Sequence, residues 1–149
     1  MDSVDIIFTR SNKIGSLIIR LFTWSDWSHC AVIDGDNVVE SVMAGGVRVS
    51  SLSVLKASSS TWEIKTYPVK DSKVFVSYAK SQLGKKYDYL GAIGIAFRIK
   101  SEKKHRWFCS EFLAHCALQC GSSWFEDDSL HKITPQDIYQ LNFAWLEIK

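Results

Sequence analysis

Three residues of the kind that make a thiol reactive lie far apart in this sequence: His29, Glu40 and Cys109. A cysteine attacks carbonyl carbon as its thiolate, an imidazole draws the thiol proton, and a carboxylate fixes that imidazole. Cys109 opens a strongly apolar stretch that runs to Cys120 and stops at Gly121, the pattern of a helix with the cysteine at its start. Exposed amides and the helix dipole favour an anion there, which lowers a thiol pKa. The amide of Cys109 itself can donate to a developing oxyanion. The same residues also admit a purely structural reading, with a satisfied strand histidine and a helical cysteine acting as a small buried hydrophobe. Residue types and spacing leave both readings open.

The elements around these residues decide whether they can meet. Ser28 to Ile33 reads as a strand, Asp34-Gly35-Asp36-Asn37 as a turn, and Val38 to Val42 as the partner strand. With that turn, Ile33 opposes Val38, Ala31 opposes Glu40 and His29 opposes Val42. Opposed residues share a face and side chains repeat every second residue, so His29 and Glu40 become diagonal neighbours, roughly 7–8 Å apart at the backbone. A glutamate spans that gap. A slip of one residue in register would put the two on opposite faces.

Further strands are expected at Val4 to Thr9, Val47 to Ser50, Trp62 to Val69 and Phe143 to Ile148. Helices are expected at Ile14 to Leu21, Leu52 to Ala57, Asp71 to Leu83 (with Phe75, Tyr78 and Ala79 inward) and Tyr87 to Phe97. Thr134-Pro135-Gln136-Asp137 is a helix start with threonine as cap and proline in the first position. Strands early and helices late give an α+β fold. At 149 residues, 46% apolar and 23% charged, the chain suits one globular domain over 1–149 rather than two, and not a disordered one.

The acidic start Met1-Asp2-Ser3-Val4-Asp5 lacks the basic opening of a secretory signal, and no apolar run reaches the roughly 20 residues of a membrane span. The expectation is a cytoplasmic monomer, with a virus particle, a holin or a secretion system as the route outward if the substrate lies there. The four cysteines then read as free thiols. Cys116 and Cys120 fall on the face of Phe112 and Leu113, and Cys30 points opposite to His29; all three are assigned to packing. A net charge of +2 gives no reason to expect nucleic acid.

Two other functions compete. A zinc site could draw on His29, Cys30, His105, Cys109, His115, Cys116, Cys120 and His131, but no Cys-x-x-Cys pair or similar knuckle is present, so neither metal nor cofactor is expected. A binding module could use Arg98, Lys100, Lys103, Lys104 and Arg106, five basic residues in the stretch 98–106 opposed only by Glu102; a solvated loop explains the same run.

Taken in order, Trp27-Ser28-His29-Cys30-Ala31-Val32-Ile33, Val38-Val39-Glu40-Ser41 and Gly46-Val47 resemble the first half of a circularly permuted papain-like domain. Leu83-Gly84-Lys85-Lys86-Tyr87-Asp88-Tyr89 and Phe108-Cys109-Ser110-Glu111-Phe112 resemble its second half, and Ile133 to Ile138 its closing stretch. The family is the permuted, YiiX-like branch of the NlpC-type peptidases, related to lecithin–retinol acyltransferase. The resemblance implies a central antiparallel sheet packed by helices, with Cys109 as nucleophile, His29 as base and Glu40 as the orienting group. It also implies that Tyr87 lines the site, where a plain helix-start aromatic is the other reading. Trp24, just before the histidine strand, is either a cleft residue or core, as is Trp27. Acyltransferase relatives carry Asn-Cys-Glu at the nucleophile where this chain has Phe108-Cys109-Ser110, which favours hydrolysis. The substrates implied are peptides, peptidoglycan, other acyl amides, or lipid esters.

Overall fold

The computed structural model describes residues 2–13, 20, 25–43, 45–86, 108–126, 129–130 and 133–143. All but Arg20 of the expected helix at 14–21, the expected helix at 87–97, the basic stretch 98–106, Trp24, Tyr87, His105, His131 and all but the first residue of the expected closing strand lie outside them.

Five strands form one antiparallel sheet: β1 (Asp2–Arg10), β2 (His29–Asp34), β3 (Asn37–Val42), β4 (Gly46–Ser51) and β5 (Thr61–Val69). Their order is β4-β3-β2-β1-β5. Among the described residues four helices accompany them: α1 (Leu52–Ser58), α2 (Ser72–Ser81), α3 (Cys109–Gln119) and α4 (Pro135–Tyr139).

Alternation along the strands divides the sheet into two faces. Val4, Ile6, Phe8, Cys30, Val32, Val39, Val47, Tyr67 and Val69 are buried in the main core with Phe75 and Ala79 of α2 and Phe112, Leu113 and Cys116 of α3. Ile7, Ala31 and Val38 face the other way and are covered by Leu52 and Leu55 of α1. Each fully buried Leu or Phe side chain contributes about 1.5–3 kcal/mol, so the larger cluster carries most of the stability. Trp27 joins it, 7% exposed and in tilted ring contact with Phe8 and Tyr139, so it is a core residue.

The β2–β3 hairpin has the expected register. Ile33 pairs with Val38 and Asp34 with Asn37, across the two-residue turn Gly35-Asp36. Gly35 has φ of 61°, a left-handed value that glycine adopts without strain. Asp71 caps α2 by accepting the amide of Val74, so this helix begins one residue later than the spacing suggests. At α4, Thr134 and Asp137 form a reciprocal capping box with Pro135 in the first turn. Among the described residues no helix is long and apolar enough to cross a membrane.

Candidate active site

Glu40 faces Arg48 across the β3–β4 ladder, and Ser50 lies two residues further along β4 on the same face. His29 is the first residue of β2. The hairpin brings His29 and Glu40 together as the register requires: Nε2 of the imidazole lies 2.6 Å from Oε2 of the carboxylate. The other carboxylate oxygen, Oε1, accepts from Ser50 Oγ at 2.6 Å and from Arg48 Nε at 3.1 Å. Glu40 is only 1% exposed, whereas the His29 side chain keeps 17% of its surface.

Cys109 is the first residue of α3, and no side chain caps that helix start. Its thiol hydrogen bonds with the His29 imidazole. Because Nε2 is held by Glu40, Nδ1 is the ring nitrogen left for the sulfur. Helix α3 packs on β2 and β3 and thereby delivers the cysteine to the histidine strand. Its first turn is anchored from behind, where Ser110 Oγ donates to the carbonyl of Ile133 at 2.5 Å, immediately before the α4 cap. Cys116 and Cys120 are buried in the core, as expected of small apolar side chains.

Cys30 does more than its sequence position suggested. It is buried in the main core, as expected, but its free thiol also acts by hydrogen bonding on that of Cys109 and lowers its pKa. The start of α3 thus sits where the first two residues of β2 both reach it. Parity along the strand assigns Cys30 to packing and carries no information about a partner 79 positions away. Arg48 and Ser50 were missed for a different reason: they become visible only when the alternation argument is extended from the β2–β3 hairpin across the Gly45-Gly46 turn into β4.

The charges reinforce one another. Burial pushes Glu40 up, but the bonds from His29 and Ser50 and the charge of Arg48 outweigh it and hold the carboxyl at about 2. Burial pushes His29 down, and its bonds to Cys109 and Glu40 raise it to about 10. Burial likewise pushes the Cys109 thiol up, yet the bonds from Cys30 and His29 bring it down to about 5. Burial, and then the hydrogen bond and charge of Cys109, raise the Cys30 thiol well above the ordinary range. All three shifts run in the direction that favours a thiolate–imidazolium pair on a buried carboxylate.

A profile of the permuted papain-like amidase enzymes, the YaeF/YiiX or C92 family, matches residues 2–145, and the chain belongs to that family. Among solved structures, that of metalloprotein YiiX from Escherichia coli O157:H7 is similar to it. The TM-score is 0.65 at 26% identity, over 84% of this chain and 69% of that one. No curated protein matches the sequence. Among the described residues no three His, Cys, Asp or Glu side chains are grouped to hold a metal ion, and both oxygens of Glu40 are already engaged, so these residues do not fit a metal centre.

Proposed function

We propose that this chain, acting as one domain over 1–149, is a cysteine amidase with Cys109 as nucleophile, His29 as acid and base, and Glu40 as the orienting carboxylate. The observation that carries the reading is the chain of contacts from Glu40 through His29 to the thiol of Cys109 at a helix start. The thiolate attacks the amide carbonyl, and helix-start amides, including that of Cys109, stabilise the oxyanion. Imidazolium His29 gives its proton to the leaving nitrogen as the C–N bond breaks, leaving a thioester on Cys109. Neutral His29 then takes a proton from water as the oxygen attacks the thioester; the acid leaves and the thiolate–imidazolium pair returns. Glu40 holds the ring orientation and stabilises its charge without being protonated.

The substrates this chemistry fits are peptide, isopeptide or other N-acyl amides, peptidoglycan stem peptides among them. Trp24 and Tyr87 are proposed to line the substrate cleft. The test is hydrolysis of a panel of such amides beside lipid esters. Amide turnover is expected in the wild type and is expected to disappear in Cys109→Ala and His29→Ala. Turnover confined to lipid esters would favour an acyltransferase or thioesterase of the same fold. Activity that survives Cys109→Ala would overturn the reading.

A further inference from the structure

Strand β4 presents two donors to the same carboxylate oxygen, the one that does not meet the imidazole. We propose that Arg48 and Ser50 are positioning residues that clamp one oxygen of Glu40 so that the other stays aligned, as an anion, on His29. The inference rests on the amidase reading of the site and adds to it a determinant outside the three reacting groups.

A glutamate side chain has three rotatable bonds, and one contact to His29 does not fix the plane of its carboxylate. Two contacts on Oε1 do. They also divide the work. Ser50 makes the shorter bond, 2.6 Å, from a partly buried position. Arg48 adds a full positive charge through Nε at 3.1 Å, but its side chain is half exposed, so solvent screens that charge. Ser50 is therefore the stronger positioner and Arg48 the weaker. The charged or titratable groups acting on Glu40 are His29 from β2 and Arg48 from β4. Cys109 from α3 and Cys30 from β2 act one step further on, at the thiol. Loosening Glu40 weakens the imidazolium, and a weaker imidazolium holds the thiolate less well. Both limbs of the pH profile then move inward, the acid limb upward and the alkaline limb downward.

The second-order rate of Cys109 alkylation by iodoacetamide, followed against pH by peptide mass spectrometry, reads the acid limb directly, because it follows the thiolate fraction. Ser50→Ala is expected to raise the acid midpoint by about one pH unit, a loss of roughly fivefold in rate at pH 5. Arg48→Ala is expected to cost about threefold there. Ser50→Thr, which keeps the hydroxyl, is expected to restore the wild-type profile, which loss of strand packing alone would not allow. Arg48→Lys keeps the charge without the Nε donor and is expected to fall between. Arg48 is half exposed, so its variants keep the core intact if Ser50→Ala fails to fold. Profiles of Ser50→Ala and Arg48→Ala that match a selectively labelled wild type would overturn the inference while leaving the amidase reading in place. A wild type whose Cys109 is not selectively labelled would overturn that reading and this inference with it.

Discussion

A carboxylate with 1% of its surface exposed keeps its charge only if that charge is matched, and Glu40 is matched on both oxygens. Glu40→Gln tests what the charge does, because it preserves shape. The glutamine amide can still accept from β4 but then turns an NH2 group toward His29, which can meet it only as neutral imidazole. Amide turnover is expected to fall at least about 100-fold, as measured by kcat/KM, with the fold retained by circular dichroism. Cys30 provides a second check. Its thiol donates to Cys109, so Cys30→Ala is expected to raise the acid limb of the pH–rate profile, and Cys30→Ser, still a donor, to raise it less. Of the residues at this site, His29, Glu40 and Cys109 could be named as candidates from the hairpin register and the helix start, and only the family resemblance chose chemistry over packing for them. Cys30 could not be, because its value comes from a contact between distant segments.

At the scale of elements, the hairpin was readable to the residue because Asp34-Gly35-Asp36-Asn37 fixes both turn and register, and one register fixes every face. Strand β4 was readable as a strand but not as a supplier of partners for Glu40. Its own position depends on Gly46, which has φ of 67° and whose place for a Cβ lies 1.9 Å from the Lys85 carbonyl oxygen. That close approach lets Val47 bond with the neighbouring segment, through its amide to Lys85 and its carbonyl to Gly84. Gly46→Ala combines a left-handed conformation with a backbone clash and is expected to lower stability by at least about 2 kcal/mol in chemical denaturation, displacing Arg48 and Ser50 with it. Thr134→Ala removes the capping box of α4, which follows directly on the Ile133 carbonyl that anchors Ser110. Its expected cost is about 1 kcal/mol by thermal denaturation.

For the molecule as a whole, the shifted groups predict a stability profile with a defined plateau. The unfolded chain holds thiol and imidazole near their ordinary values of 9.0 and 6.5, whereas the folded chain holds Cys109 at about 5 and His29 at about 10. The lowered thiol contributes stability that is complete above pH 9.0 and fades as pH falls through 5; the raised imidazole contributes stability that is complete below 6.5 and fades as pH rises through 10. The two trends cancel between 6.5 and 9.0. Below that range the thiol trend lowers stability, and above it the imidazole trend does. Glu40, lowered from 4.5 to about 2, adds a further loss in acid between those values. A melting-temperature scan across pH should show this plateau in the wild type and lose its edges in a His29→Ala, Cys109→Ala double variant. The central claim is narrower, that one thiol of four is the nucleophile and that His29 makes it so. Peptide mapping after brief exposure to a limiting amount of an acylating or alkylating probe at pH 7 tests it most directly. A single adduct on Cys109 is expected, and it should disappear in His29→Ala. Adducts spread over Cys30, Cys109, Cys116 and Cys120, or an adduct on Cys109 that forms equally well without His29, would contradict it.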